Sequence, residues 1–320
     1  MRYLRYILKR LCVFIPLFLI VSLIVFFALR FSGVDPITVM LGERQATPEV
    51  MAALRAQYYL DDPLISQYLR WIGNAVTGDF GVDYINHQSV STLIAQRLPI
   101  TLGLVILSIV IGTILSVALG VLSSVREGRP TDRTISVAVL ILVSVPPFLL
   151  AIITLLLLSV FAPSVGFIGA INSVSDYWAR IPLPAFVLSL NMVAIVTRVT
   201  RSSMIIQLKS QYTSTALAKG LPAKMVIWKH AFRNALIPVL TIVSIFAGTS
   251  ISGAVLVESV FSLPGLGGLL TQAIKTNNYP IVQSALLVLL LVFLVIGLVT
   301  DLIYAAVDPR IRKSGKGITA

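Results

Sequence analysis

Several long apolar runs without a charged residue constrain the fold of this chain more than any other feature. Residues 11–29 form one such run and residues 99–125 another, in a sequence that is 57% hydrophobic and 12% charged. A helix of about 20 apolar residues crosses the hydrocarbon core of a bilayer. Lipid offers no partner to backbone polar groups, so each run must satisfy its own hydrogen bonds as a helix. The sequence therefore predicts an all-α integral membrane protein.

Six membrane-spanning helices are predicted along the chain. The stretch from residue 134 to residue 175 is uncharged and too long for one crossing, so we expect Pro163 and Gly166 to end the third span before an outer loop. The other predicted spans cover residues 11–29, 99–123, 181–197, 235–257 and 281–304.

Two adjacent prolines, Pro146 and Pro147, interrupt the third predicted span. Because proline lacks the amide hydrogen that a helix needs, the pair predicts a break or kink inside the membrane. Two interpretations stay open: a kink that serves helix packing, and a break that faces a translocation path.

The net charge of +12 is distributed by membrane side. Four segments hold 18 of the 25 lysines and arginines: the N-terminus, the loop after the second span, residues 198–233 and the C-terminal tail. Positive residues collect on the cytoplasmic side, so both termini are predicted to be cytoplasmic. Because topology explains the charge, we expect membrane lipid and not nucleic acid as a partner of these segments.

A long external segment, residues 32–97, is predicted between the first two spans. Thr47 is suited to cap a helix, Pro48 to begin it and Glu49 to lie in its first turn. A helix is therefore predicted over residues 47–59.

A basic loop, residues 202–236, lies between two apolar segments and contains no acidic residue. Gly220 is suited to end a short helix that starts near Thr213, because glycine accepts the left-handed conformation found at many helix ends. Pro222 is then predicted to be the first residue of a second helix, where its missing amide hydrogen costs nothing.

The second predicted helix of the basic loop is amphipathic. Four apolar residues recur in it at helical spacing and predict one apolar face: Met225, Trp228, Phe232 and Leu236. The residues alone allow two interpretations of the loop. It is either a structured protrusion that a partner protein recognises, or a loop that obeys membrane topology and rests on anionic headgroups.

Two strings in the basic loop resemble a known family. Residues 215–221 read Thr-Ala-Leu-Ala-Lys-Gly-Leu, and residues 230–238 read His-Ala-Phe-Arg-Asn-Ala-Leu-Ile-Pro. They resemble the coupling loop of ABC importer permeases, in the version found in the dipeptide, oligopeptide and nickel permeases. The general motif of such permeases begins Glu-Ala-Ala and continues to a glycine. Of that motif only Ala216 and Gly220 match, since Ser214 and Thr215 stand at its first two positions.

The resemblance implies that the loop docks onto a separate ATPase subunit, with Ala216, Gly220 and Leu221 at the contact. The full set of implied ATPase-coupling residues is Ser214, Thr215, Ala216, Lys219, Gly220, Leu221, Pro222, His230 and Arg233. The implied partners are a homologous second permease subunit, two ABC ATPase subunits that carry ATP and Mg, and an external substrate-binding protein.

The same resemblance implies the domain organisation and the function. Residues 1–96 would form an N-terminal transmembrane helix and a long external loop, residues 97–308 a type-1 transmembrane domain, and residues 309–320 a cytoplasmic tail. Such a chain is a multi-pass protein of the bacterial cytoplasmic (inner) membrane and forms half of a translocation path for di- or oligopeptides. Nickel, a metallophore or glutathione are alternative substrates for this architecture.

Candidate pathway-lining residues are those that break a predicted span or place a small or polar group in it. They are Pro146, Pro147, Asn191, Ser244, Gly248 and Ser252. The last three recur every four residues in the fifth span, a pattern that lets helices approach closely.

No catalytic chemistry is predicted on this chain. It has no Gly-x-x-x-x-Gly-Lys-Ser/Thr loop for ATP, and its single cysteine and two distant histidines give neither a metal site nor a nucleophilic set. We therefore expect a non-catalytic subunit without a cofactor of its own.

Two other classes stay open, a stand-alone secondary transporter or channel and a membrane scaffold whose basic loop binds lipid or a soluble partner. A proton-coupled transporter would need an ionisable group deep in the membrane, where the predicted spans offer none.

Overall fold

The computed structural model describes residues 2–41, 46–161, 171 and 173–307. The predicted loop residues Pro163 and Gly166 and the predicted tail, residues 309–320, lie outside this part. Its helices in chain order are α1 (Arg2–Arg30), α2 (Pro36–Leu41), α3 (Pro48–Gln57), α4 (Leu64–Val76), α5 (Val90–Val125), α6 (Pro130–Ser144), α7 (Pro147–Phe161), α8 (Val174–Arg180), α9 (Pro182–Leu208), α10 (Gln211–Ala218), α11 (Ala223–Met225), a π-helical segment (Val226–Phe232), α12 (Arg233–Phe261), α13 (Leu266–Lys275) and α14 (Tyr279–Val307).

Within the described residues, five helical stretches are long and apolar enough to cross a membrane, and there are six if the bent pair α6–α7 counts as one span. The five are Cys12–Arg30, Val90–Val125, Val174–Leu208, Ala223–Phe261 and Tyr279–Thr300. Helices α6 and α7 pass the same test together, with a bend of 105° between them. The predicted all-α membrane fold is confirmed, with five or six apolar spans in the described residues, and the side of the membrane that holds the termini stays a prediction.

The bend between α6 and α7 lies at the predicted proline pair. Helix α6 ends at Ser144, and Val145 is extended with φ −105° and ψ 123°, as expected for a residue that precedes proline. Pro147 begins α7, where no helical hydrogen bond is lost. The Pro146 carbonyl accepts the amides of Leu149 and Leu150 at 3.0 and 3.2 Å and so starts the new helix.

Several helices extend beyond the apolar runs that predicted them. Helix α5 begins at Val90, nine residues before the run at residue 99, and α9 continues to Leu208, past the predicted end at residue 197. An apolar run marks the part of a helix that suits hydrocarbon, whereas the ends of the helix are set by caps and turns outside it.

The chain divides into two compact units, and residues 1–102 and 262–294 form the first. In this unit the predicted cap of α3 is confirmed, since the Thr47 hydroxyl accepts the Val50 amide at 3.4 Å and Pro48 begins the helix. The helix ends at Gln57, two residues before the predicted end.

Asp83 ties distant parts of the first unit together. Its side chain accepts the Ile85 amide at 2.8 Å, the Asn86 side chain at 2.9 Å, and the side chain of Asn278. Burial raises the pKa of Asp83, but these hydrogen bonds to the ionised form outweigh burial and leave the pKa below its ordinary value.

The second unit, residues 103–261 and 295–320, is built around α9. This helix packs against α6, α7 and α12. Small side chains allow α9 and α12 to approach, since Ala194, Ala247 and Ala254 are fully buried. A Cβ atom on Gly253 of α12 would lie 2.8 Å from Leu188 of α9. The second unit contains the basic loop.

Candidate functional site

The turn at Gly220 gives the basic loop a defined shape. Gly220 has φ +76°, as predicted for a left-handed helix end. Its amide donates to the Leu217 carbonyl at 2.9 Å, and the Leu221 amide donates to the Ala216 carbonyl at 3.2 Å. These two bonds form a Schellman motif, which satisfies carbonyls that the end of α10 would otherwise leave unpaired.

A hydrogen-bonded chain of side chains joins the two arms of the loop. The Tyr212 hydroxyl donates to Gln207 Oε1 at 2.7 Å and accepts from Asn234 Nδ2 at 3.2 Å. The Asn234 amide also donates to the His230 carbonyl at 2.9 Å. The end of α9, the start of α10 and the start of α12 are therefore connected directly.

Buried residues fix the first arm of the loop from within. Thr213 is 1% exposed, and its hydroxyl donates to the Gln207 carbonyl at 2.8 Å. Ala216 is 6% exposed, so it lies inside this chain instead of on the surface. The ATPase contact expected at Ala216 stays a prediction, and its burial shows that Ala216 also contributes to the shape of the loop.

Pro222 stands one position earlier than predicted. It precedes the second helix with φ −62° and ψ 139°, and Ala223 is the first helical residue. The Pro222 carbonyl accepts the amides of Met225 and Val226 at 2.9 and 3.1 Å, so it still starts the helix.

The second arm of the loop is continuous with a membrane span. Helix α11, the π-helical segment and α12 follow one another without a gap from Ala223 to Phe261. The second helix of the loop and the fifth span, which is predicted from residue 235, are therefore one continuous helical stretch.

The predicted apolar face of this arm is exposed at two of its residues, and within it the Trp228 and Phe232 rings contact each other with centroids 5.2 Å apart. Met225 and Trp228 are 41% and 49% exposed, whereas Val226, Ala231 and Ala235 are buried. A π-helix bonds each residue to the fifth along the chain, so the five-residue step from 226 to 231 replaces the α-helical spacing. Ala231 and Ala235 join a buried cluster with Val121 of α5 and Met204 of α9, which anchors the arm.

The exposed surface of the basic loop combines apolar and basic side chains. Leu217 of the first arm is 50% exposed, and Met225 and Trp228 of the second arm are exposed as well. The exposed positions among the predicted coupling residues are Ser214, Thr215, Lys219, Gly220, Pro222 and Arg233, while Leu221 and His230 are half-buried. With Lys224 and Lys229 also exposed and no acid in the loop, this surface suits an acidic partner with apolar patches.

The candidate pathway-lining residues do not form one surface. Asn191 of α9, Pro147 and Ser244 of α12 are half-buried, and Pro146 is exposed at the bend. The predicted stripe in α12 is uneven, with Gly248 buried and Ser252 exposed. The close contact of α12 with α9 uses Ala247 and Gly253 instead. A lining role for these residues stays a prediction.

Sequence reasoning missed several residues that shape the site. Gln207, Tyr212 and Asn234 are ordinary polar residues whose connection appears only in the folded loop. The buried Asp132 and the partly exposed Arg201 form an ion pair although they are 69 residues apart. No local sequence pattern predicts an ion pair between residues so far apart in the sequence.

The fold and the site together define a class. The chain is a multi-pass helical membrane protein with a rigid, exposed basic loop between two spans. It belongs to the binding-protein-dependent transport system inner membrane component family, whose model matches residues 116–313. The N-terminal model of the same transport systems matches residues 3–105. The chain is thus a permease subunit of an ABC importer in the bacterial inner membrane, as the resemblance implied.

Two relatives match nearly the whole chain. A Brucella ovis protein named as a peptide permease is 39% identical over 316 residues, which cover 97% of this chain and 99% of the relative. The glutathione transport system permease protein GsiC of Escherichia coli K12 is 37% identical over 309 residues, with 97% and 99% covered.

A solved structure has a similar fold. A chain in the inward-facing structure of the MetNI methionine ABC transporter matches with a TM-score of 0.54 and 19% sequence identity. The match covers 68% of this chain and 96% of that chain.

Proposed function

We propose that this chain forms one half of the translocation path of a peptide-importing ABC transporter and that its basic loop docks onto a separate ATPase subunit. A homologous permease subunit would supply the other half of the path, and an external binding protein would deliver the substrate. ATP and Mg would bind only to the ATPase chains, so this subunit would be non-catalytic.

The rigidity of the exposed basic loop carries the proposal. A loop that merely rested on lipid headgroups would need positive charge but no fixed shape. This loop has a Schellman cap at Gly220 and hydrogen bonds from Tyr212 to both arms. It also exposes Trp228 and Met225 beside its basic residues. A shaped surface with aromatic and basic side chains is typical of a site that binds protein.

The connections of the loop explain how ATP could drive transport. Only Lys209 and Ser210 separate α9 from α10, and the second arm continues into α12 without a break. If ATP-driven closure of the ATPases favours one position of the docked loop, both helices must follow it. Coupling then equals the difference in docking free energy between the two states of the membrane helices.

Peptides are the proposed substrate because the relative from Brucella ovis is named as a peptide permease. Glutathione is the second candidate, because the similar GsiC protein is named for glutathione transport. The two are separated by measuring uptake of labelled tri-alanine and labelled glutathione in cells with and without the gene for this chain. Loss of tri-alanine uptake alone supports the first, loss of glutathione uptake alone the second, and loss of neither contradicts both.

The assembly is tested by gentle affinity purification of the tagged chain from its native membrane, with the co-purifying chains identified by mass. We expect a second permease and one or two ATPases. Recovery of the chain alone, with transport in vesicles that needs no ATP, would refute the proposal and favour a secondary transporter.

A matched pair of variants tests whether the loop itself recruits the ATPase. One variant is Lys224→Gln with Lys229→Gln, and the other is Arg126→Gln with Arg129→Gln. Each removes two exposed charges from a segment predicted to be cytoplasmic. We expect only the first to lower ATPase recovery. Equal recovery from both would favour the headgroup interpretation.

A further inference from the structure

An ion pair with a buried carboxylate lies next to the basic loop, since Arg201 directly precedes residue 202. The Asp132 carboxylate, at the start of α6, is 3% exposed. It accepts Arg201 Nε at 2.6 Å and Arg201 Nη2 at 2.8 Å, a bidentate arrangement. It also accepts the Ser123 hydroxyl at 2.5 Å and the Gly128 amide at 2.9 Å. One carboxylate thus joins the end of α5, the following turn, the start of α6 and the middle of α9.

The geometry of the pair makes it specific. Burial of a carboxylate is costly unless charge and hydrogen bonds compensate it, and here four donors do so. The planar guanidinium engages both carboxylate oxygens, which a lysine ammonium cannot do in the same way. A nearby pair, Lys209 with Glu127 at 2.9 Å, is more exposed and contributes less to the connection.

Helices α5 and α9 approach each other closely beside the ion pair. A Cβ atom on Gly120 of α5 would lie 2.5 Å from Thr200 Cβ and 2.9 Å from the Thr197 carbonyl oxygen of α9. Two turns further along, a Cβ atom on Gly112 would lie 3.0 Å from Met192 Sδ. These contacts leave no space for one helix to slide or rotate against the other.

Helix α6 also packs against α9, and the ion pair adds a bidentate, charged connection between the start of α6 and α9. Seven residues of helix separate Arg201 from Leu208 at the end of α9, a length of about 10 Å. At its other end α6 reaches the Pro146–Pro147 bend and continues into α7, which packs on α9 and α12. A displacement of the basic loop therefore reaches the bent pair through α9 and Asp132.

We propose that the Asp132–Arg201 ion pair is the link that makes the bent α6–α7 pair follow the basic loop. Asp132 and Arg201 are therefore positioning residues, which act on transport through the helices that they connect. The inference rests on the proposed function, because it needs an ATPase that moves the loop. Without the pair, the ATPases would still dock and hydrolyse ATP, but the membrane helices would respond less to each cycle.

The test measures substrate transported per ATP hydrolysed in proteoliposomes that contain the full complex. Asp132→Asn keeps the shape of the side chain and removes its charge, and Arg201→Lys keeps the charge and removes the fork. We expect transport per ATP to fall about tenfold or more for Asp132→Asn and by less for Arg201→Lys. Glu127→Gln, which breaks only the exposed neighbouring pair, is the control and should keep the wild-type ratio.

The double variant Asp132→Asn with Arg201→Gln replaces the ion pair with two neutral side chains that can still form a hydrogen bond. It should recover part of the lost transport per ATP, and such a recovery would show that the two residues act as a pair. An unchanged ratio in both single variants would overturn the inference while leaving the proposed function intact. Loss of assembly in both would assign the pair to folding and also overturn it. A wild-type chain that purifies without an ATPase would refute the proposed function, and the inference with it.

Discussion

Replacement of Gly220 with valine tests whether the shape of the basic loop is needed for transport. Gly220 has φ +76°, and a Cβ atom added there would meet no atom within 4 Å. The new side chain would therefore not collide with this chain. The substitution would instead raise the free energy of the capped turn, because a β-branched residue disfavours the left-handed conformation.

That cost is about 1–2 kcal/mol for an ordinary residue, with valine at the upper end because it is β-branched. A free-energy change of this size alters the ratio of two conformations by about 5- to 30-fold. If only the capped turn docks productively, ATP-dependent uptake should fall by up to that factor in the Gly220→Val complex, and by less where the capped turn still predominates. The chain should still insert and pair with a second permease, because the change lies outside the spans.

The assay compares three variants by ATP-dependent uptake in proteoliposomes and by ATPase recovery on purification. Gly220→Asn introduces a larger side chain than alanine, but asparagine tolerates the left-handed conformation, so it should retain more transport than Gly220→Val. Gly297→Ala is the control, since Gly297 lies in a helix with open space around it and has no positive φ.

Two results would refute this reasoning. Wild-type transport by Gly220→Val would show that the left-handed turn is not required. An equal loss of transport in Gly220→Asn and Gly220→Val would show that any side chain at this position is harmful, whatever its backbone preference. That result would be expected if the ATPase approached the glycine closely.

Three further predictions follow from single contacts. Gly120→Val should abolish assembly, because its Cβ atom would collide with α9; a normal yield of complex on gel filtration would contradict this. Tyr212→Phe removes hydrogen bonds to both arms of the loop, so hydrogen exchange of residues 211–218 should rise about threefold to tenfold, from a loss of about 1 kcal/mol; unchanged exchange would mean that other contacts hold α10. The lowered pKa of Asp83 stabilises the first unit above the carboxyl's unfolded pKa, about 3.9, and this contribution is lost as the pH falls through the lower folded pKa. The thermal unfolding temperature in detergent should therefore fall below about pH 4, and it should fall more steeply with pH in the wild type than in Asp83→Asn. An identical pH dependence of the two unfolding temperatures would exclude Asp83 as the cause.

The features that the sequence could predict are those set by local chemistry. Apolar runs identify spans because hydrocarbon demands them, and paired prolines break a helix wherever they occur. Gly220 was predictable for the same reason, since a glycine after a short helical pattern usually has the left-handed conformation. The cap at Thr47 needs only its neighbours.

The features that could not be predicted depend on contacts between distant residues or on a change of helical period. The apolar face predicted from Met225 and Trp228 assumed α-helical spacing, and the π-helical segment shifts burial to Val226 and Ala231. Ala216 matches the family motif, and the motif gives no sign that its side chain is buried within the loop. Asp132 looked like an ordinary residue of a basic turn, and only the approach of α9 makes it a buried partner.

Photo-crosslinking from the basic loop tests the central claim most directly. A photoreactive amino acid is placed at Trp228 or Met225, both exposed, and at Ile65 of α4, which is 67% exposed in the other unit, as the control. The complex is irradiated in its native membrane, and the adducts are identified by mass. We expect an adduct with an ABC ATPase from both loop positions and none from Ile65. A purified complex that contains the ATPase but gives only lipid adducts from the loop would contradict the account.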